Sequence, residues 1–284
     1  MRAIDVHVHP STARGQLLVA EGEAEVEARY RRMKHPVKTG EEMARDFIEL
    51  NIKGLIIAWD AEMSTGYPKV TNDYVAQLAK DHPQAFLGAW AMIDPWKGKV
   101  AVRELERAVR ELGMIGLKFQ QIIQGFFPNE RWVYPIYEKC VELGVPVLFH
   151  TGTTTLGVGM VGGGGYHLKY SEPIPYLDDV AADFPELTII GAHPSWPWQE
   201  EMIAVLLHKA NVYADLSGWA PKYFPDSLKR EINGRLQDKL MFGSDYPDIS
   251  PRRWLEEFEA GNYKPEVVEK VLYKNAQRIL KLAL

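Results

Sequence analysis

Ile4-Asp5-Val6-His7-Val8-His9, Val145-Pro146-Val147-Leu148-Phe149-His150, Leu187-Thr188-Ile189-Ile190-Gly191-Ala192-His193 and Leu240-Met241-Phe242-Gly243-Ser244-Asp245 share one design: an apolar run that ends on imidazole or carboxylate. A buried strand has no packing use for such a group, and each one costs desolvation energy unless something pairs with it. A single strand ending on histidine is ordinarily a hydrogen-bonded core residue. Four such strands, ending on His7, His9, His150, His193 and Asp245, point instead to a metal site at one mouth of a barrel.

Outward from these segments the chain alternates between strand and helix patterns. Further strands are read at 54–59, 86–93, 114–119 and 212–216, with the last of the eight at 239–242. Helices are read at 41–50, 70–79, 102–112, 132–143, 175–184, 199–208 and 265–282. The clearest has Val102, Leu105, Val109 and Leu112 on one face, with Gly113 as its stop. Many strands are apolar on both faces, which suits a parallel sheet covered on both sides. The expected fold class is therefore α/β, a (β/α)₈ TIM barrel, with an open doubly wound sheet as the alternative. The strand exits decide between them. His7 and His9, Asp60, Asp94, Lys118, His150, His193, Ser217 and Asp245 follow the eight strands in order, whereas an open sheet gathers such residues only at its switch point. One barrel domain over residues 1–284 is expected, with a polar insertion at 10–40 after strand one.

Composition narrows the partners. The 284 residues carry a formal net charge of −5 and 46% hydrophobic content, so nucleic acid is not an expected partner. The densest basic run, Arg29-Tyr30-Arg31-Arg32-Met33-Lys34, reads as a solvated face. Cys140 is the only cysteine, so no internal disulfide forms; its neighbours Tyr137 and Val141 mark it as an inert core thiol. No stretch approaches the ~20 apolar residues of a membrane span, and Met1-Arg2 leads straight into a strand, so a cytoplasmic location is expected. The expected partner is a small molecule, with a homodimer or higher homo-oligomer left open.

Gly157-Val158-Gly159-Met160-Val161-Gly162 spells a dinucleotide-binding pattern, but it begins well after His150 and runs into Gly163-Gly164-Gly165 instead of a helix. It reads as a loop over the mouth, either a lid or a passive connection.

His7 and His9 lie two apart on one strand and so share a face. Paired imidazoles facing a lumen suit a divalent ion, with His150 as a third nitrogen and Asp245 as an oxygen donor. Three or four protein ligands plus an open position describe a catalytic site. Of the other histidines, His35, His82 and His208 read as loop, capping and surface residues, and His167 follows the glycine run near the mouth. Trp59, Phe126, Phe127, Tyr166, Trp196, Trp198, Trp219 and Tyr246 supply aromatic surface to the mouth-side loops, and Arg252 and Arg253 read as mainly solvent-facing.

Asp5-Val6-His7-Val8-His9-Pro10, His150-Thr151-Gly152, Gly191-Ala192-His193-Pro194 and Phe242-Gly243-Ser244-Asp245-Tyr246-Pro247 resemble the amidohydrolase superfamily. More narrowly they resemble its amidohydrolase-2 branch, which includes aminocarboxymuconate-semialdehyde decarboxylase and related aromatic-acid decarboxylases. The ending 271–280 is similar to that branch as well, so the resemblance runs along nearly the whole chain. It implies a divalent metal, one per chain, with zinc the first choice and manganese the alternative. It also implies metal ligands His7, His9 and His150, Asp245 as a ligand, a proton acceptor or both, and His193 beside the metal as a further ligand or as the acid/base that orients bound water. Lys118 occupies a position that is a carboxylated bridging lysine in some superfamily members; here Phe119 and Gln120 follow it where a histidine often stands, which favours a free ammonium for substrate.

The expected function is a metal-dependent hydrolase acting on a β-keto or aromatic carboxylate-type compound through activated water, because an ammonium that grips a carboxylate opposes its loss. The alternatives are a metal-dependent decarboxylase of an aromatic or muconate-type acid and, in another class, an inactive ligand-binding barrel.

Overall fold

Alternation along the strands sorts their apolar residues into two layers. Ile4, Val6, Leu55, Ile57, Trp90, Leu148, Ile190 and Met241 pack together inside, while Ile52, Ile56, Ala89, Leu117, Phe119, Val147 and Phe149 join the helices outside. The computed structural model describes residues 1–15, 23–32 and 36–283. Its strands are β1 (Ala3–Val8), β2 (Ile52–Ile57), β3 (Phe86–Met92), β4 (Gly116–Phe119), β5 (Val147–His150), β6 (Ile189–Ala192), β7 (Val212–Asp215) and β8 (Leu240–Met241). They form one parallel sheet in the order β1 to β8, the (β/α)₈ arrangement expected from the alternation.

Closure falls to residues just past β8, which is only two residues long. Val6 N–H donates to the Phe242 carbonyl at 3.0 Å, Asp245 N–H to the His7 carbonyl at 3.0 Å, and His9 N–H to the Tyr246 carbonyl at 2.8 Å. Below them the Asp5 carboxylate accepts from Ser244 N–H at 2.9 Å and Ser244 Oγ–H at 2.5 Å.

A bulge in β1 sets the direction of the two histidines. Asp5 pairs with Gly54 and Val8 with Ile56, so three steps on β1 oppose two on β2. Ile4 and Val6 face the interior, yet Val8 packs in the outer layer with Phe47 and Met43. The side-chain alternation therefore changes phase between Val6 and Val8, turning His7 inward. The Val6 carbonyl, displaced by the same irregularity, accepts the Trp90 indole N–H at 2.9 Å.

Helix limits differ from expectation for local reasons. The helix read from residue 70 is Asn72–Asp81, because Thr71 caps it through Tyr74 N–H while Val70 bridges to Trp59. The helix read at 132–143 is Tyr134–Leu143 and stops at Gly144, whose φ of +67° is left-handed. The last helix is not uniform: Pro265–Glu269 and Asn275–Ile279 flank a π turn, Lys270–Lys274. There the Val271 carbonyl accepts Phe242 N–H at 2.8 Å, which anchors the end of β8. Asp226–Ile232 and Pro251–Glu259 were not read from the sequence; the first is only seven residues long, while the second buries Trp254, Leu255 and Phe258 on one face, a helical spacing that the sequence carried. The polar segment after β1 contains the helix Glu23–Arg31. His35, read as a loop residue, and Met33 and Lys34 of the basic run lie outside the described residues. Among those described, no helix is long and apolar enough to cross a membrane.

Candidate active site at the barrel mouth

β1, turned inward by its bulge, delivers His7 and His9; the segment after β8 delivers Asp245. Asp245 Oδ1 lies 3.3 Å from His7 Nε2 and 3.3 Å from His9 Nε2. One donor atom from each of these three residues falls within 4.8 Å of the others. The other nitrogen of His7, Nδ1, is held by Asp215 Oδ2 at 3.0 Å, a carboxylate that fixes the ring and leaves Nε2 toward the mouth. His9 Nδ1 is buried without a hydrogen-bond partner among the described residues.

His150 and His193 stand beside this group. His193 Nε2 is 3.1 Å from His150 Nδ1, and His150 Nε2 is 3.0 Å from the Thr153 carbonyl. Both nitrogens of His150 are thus engaged, and it is not among the three donors that converge. Its backbone is clamped by Gln121, which accepts from His150 N–H at 3.1 Å and donates to its carbonyl at 3.0 Å. Behind His193, Ser217 Oγ lies 2.9 Å from His193 Nδ1 and 3.1 Å from His7 Nδ1. His193 and Asp245 hold left-handed backbone, φ +73° and +64°, an uncommon conformation outside glycine that is found at ligand-binding positions. Gly218, φ +73°, must lack a side chain, since a Cβ there would approach His193 Nδ1 to 2.6 Å.

Burial and charge set the protonation of these groups. Burial alone would raise the Asp245 carboxyl, but His7, His9 and His193 hold it well below the ordinary carboxylate range. Asp215 likewise resists burial: His7, His193 and the Ser217 side chain hold it below the ordinary carboxylate range. Burial, reinforced by the nearby Lys118 charge, lowers His7 to about 4; burial also lowers His150 and His193. Lys118 is 1% exposed, its Nζ has no hydrogen-bond partner among the described residues, and burial lowers it to about 8 against the pull of Asp215 and Asp245.

Other predicted exits do structural work. Asp60 accepts two hydrogen bonds from Lys97 Nζ at 2.7 and 2.8 Å, and Asp94 caps Met63 and Trp96 N–H. His82 follows its helix as a cap, His208 ends another, and His167 is exposed beside Tyr170. Arg253 pairs with Glu257, and burial pushes the Cys140 thiol up. The glycine run forms turns and a short 3₁₀ segment, Val161–Gly165, with left-handed Gly162, Gly163 and Gly164, and opens no α-helix. Of the aromatics, Trp59 meets His9 edge-on at 6.4 Å, Tyr246 is buried beside Asp245, and Trp196 is exposed near Trp219. Asp215 and Gln121 had no assigned role in the sequence reading. The signal for Asp215 was available, since a carboxylate inside Val212-Tyr213-Ala214-Asp215 has as little packing purpose as the others.

Comparison with known proteins places the chain in a family. A family model, Amidohydro_2, described as amidohydrolase, matches residues 4–282. A decarboxylase, orsB, from Emericella nidulans is 26% identical over 256 residues, covering 74% of this chain and 75% of that protein. The 2-amino-3-carboxymuconate-6-semialdehyde decarboxylase of Dictyostelium discoideum is 24% identical over 244 residues, 74% of this chain and 65% of that protein. An uncharacterised TIM-barrel protein from Bordetella bronchiseptica shares the fold with a TM-score of 0.82, at 24% identity over 99% of both chains.

Proposed function

Because the chain belongs to the amidohydrolase family, we propose that this mouth is the active site of a metal-dependent decarboxylase acting on an aromatic or muconate-type acid. Hydrolysis through activated water, the leading expectation from the sequence, yields to this reading because both sequence relatives above are named decarboxylases. The observation that carries it is the convergence of His7, His9 and Asp245 within electrostatic reach of a buried ammonium, Lys118, that has no hydrogen-bond partner among the described residues.

The donor set fits a divalent cation. Two imidazoles and a carboxylate are zinc-type ligands, His7 is already oriented by Asp215, and three protein ligands leave a position open. His150 would join them as a fourth on releasing His193, with manganese as the alternative ion. Bound there, the ion would supply the positive charge that holds a substrate carboxylate and an adjacent oxygen.

The chain's own groups do the rest. Asp245 is ionised at rest, so it can accept a proton from the substrate and return it to the carbon that loses carbon dioxide. Lys118 serves best against a ring oxygen or second acidic group, since pairing with the departing carboxylate would oppose its loss. Trp59, edge-on to His9, gives an apolar surface beside the donors, whereas Tyr246 packs its ring on Phe47 and donates its hydroxyl to Asp46.

The test is a panel of hydroxybenzoates, muconate-type acids and aryl β-keto acyl thioesters in ¹⁸O-labelled water, with carbon dioxide followed in parallel. Release of carbon dioxide from members of the first two classes is expected. Labelled acid from the thioesters, with no carbon dioxide from any ring or muconate acid, would return the site to hydrolysis.

A further inference from the structure

The backbone of β5 alternates between its two neighbours. Val147 N–H donates toward β6, to the Thr188 carbonyl at 3.0 Å, while the Pro146 carbonyl faces β4 and accepts Leu117 N–H at 3.0 Å. By that alternation the N–H and carbonyl of His150 face β4. The register pairs Leu117, Lys118 and Phe119 with Val147, Leu148 and Phe149, and there β4 ends. Its chain leaves the sheet at Gln120 and winds into the short helix Gln121–Gln124. Two buried backbone groups of His150 thus need partners that a longer β4 would have supplied. The Gln121 side chain takes both: Oε1 accepts His150 N–H at 3.1 Å, and Nε2 donates to the His150 carbonyl at 3.0 Å. A carboxamide offers the same donor and acceptor as a peptide group, so Gln121 stands in for the missing rung.

We infer that Gln121 is a positioning residue for the metal site: its amide extends the β4–β5 ladder by one rung and fixes the backbone from which His150 serves the ion. Gln121 is fully buried. Its turn is rooted in turn on two other strand exits. Gln124 Nε2 donates to the Asp60 and Ile93 carbonyls, at 2.9 Å each, and Gln124 Oε1 accepts Gln120 N–H at 3.1 Å. Gln120 Oε1 accepts Ile122 N–H at 3.0 Å. Three consecutive strand exits and β5 are therefore joined through side-chain amides that carry no charge and do not titrate. The grip is on main-chain atoms, so it holds whether the His150 ring faces His193 or an ion. A ligand whose backbone is fixed beforehand gives up less freedom on binding, which is how supporting bonds raise the affinity of a metal site.

This inference rests on reading the mouth as a metal site, and zinc affinity of the folded protein, measured by chelator competition, tests it without turnover. Gln121→Met keeps the side chain's length and removes both hydrogen bonds; it should weaken zinc binding ~10–100-fold. In cobalt(II)-loaded protein the same substitution should move the visible absorption toward that of His150→Ala. Gln121→Asn, whose amide sits on a shorter stem, carries the same expectation if Gln121→Met does not fold. Gln124→Met unpairs backbone groups around the same turn but none on His150. It should lower Tm yet leave zinc affinity within about threefold and the cobalt spectrum unmoved. Unchanged zinc affinity on losing the Gln121 amide would overturn the inference. Equal losses in the Gln121 and Gln124 variants would do so too, by reducing Gln121 to a part in stability. His9→Ala separates this outcome from a failure of the site itself: full zinc affinity there would place the ion elsewhere, and both readings would fall.

Discussion

Lys118 is a fully buried ammonium without a hydrogen-bond partner among the described residues, so it is retained at a cost in stability, and under the proposed function its use is to meet the substrate. Its folded-state pKa, about 8, lies below the ordinary 10.5, so the unfolded chain binds the extra proton more readily. Stability should rise as pH climbs from about 8 to 10.5, and the charged form should cost about 3 kcal/mol below that window. Lys118→Met should remove the rise and lift Tm by ~5 °C at pH 7, while turnover falls at least ~100-fold. An unchanged or lower Tm, measured calorimetrically across pH, would assign Lys118 a structural role. Asp245→Asn should retain the shape of the site but cost ~100-fold or more in kcat, since an amide cannot accept the proton. His9→Ala should lose most of an expected one ion per chain, checked by elemental analysis of purified, folded protein. These residues were legible because imidazole and carboxylate are conspicuous at the ends of apolar strands. Asp215 and Gln121 were less so, because their partners, His7 and the His150 backbone, lie 208 and 29 positions away.

At the scale of the element, β1 shows what a periodic pattern misses. Strict alternation puts Ile4, Val6 and Val8 on one face, and nothing in Ile4-Asp5-Val6-His7-Val8-His9 announces the bulge that separates Val8 from the other two. The expectation that His7 shares a face with His9 was correct, but its lumenal direction depends on that irregularity. Asp5, pointing away from Ile4 and Val6, is pushed up to about 7 chiefly by burial, which its bonds from Ser244 and His7 only partly offset. Its folded-state value is above the ordinary 3.8, so its contribution to stability is greatest below about pH 4 and is lost as pH rises through about 7. Asp5→Asn can still accept both backbone N–H groups and should flatten this dependence. Urea titrations at pH 5 and 8 that keep the original slope in Asp5→Asn would exclude Asp5 as its source. The π turn is a second hidden feature: the run Val268, Leu272, Ala276 and Ile279 looks like one helix, while the carbonyl it frees is needed by β8.

Across the whole molecule, the alternation of strand and helix and the succession of polar strand exits made the barrel legible. How it closes was not, because β8 is two residues long and the joining bonds are made by residues beyond it. Asn275 shares that burden, donating from Nδ2 to the carbonyls of Gln237 and Leu240 at 2.8 Å each. Asn275→Leu should destabilise by ~1–3 kcal/mol, the scale for leaving buried acceptors unpaired, read as a lower urea midpoint at unchanged slope. The joint between β1 and β8 also has a mechanical meaning. His7 and His9 stand on one side of it and Asp245 on the other, so an ion gripping all three would rivet the cylinder at its thinnest stave. Stripping that ion with a chelator should let the staves part there first. Deuterium uptake at the amides of Val6, His9 and Asp245 should quicken while the ladder from β3 to β6 keeps its pace.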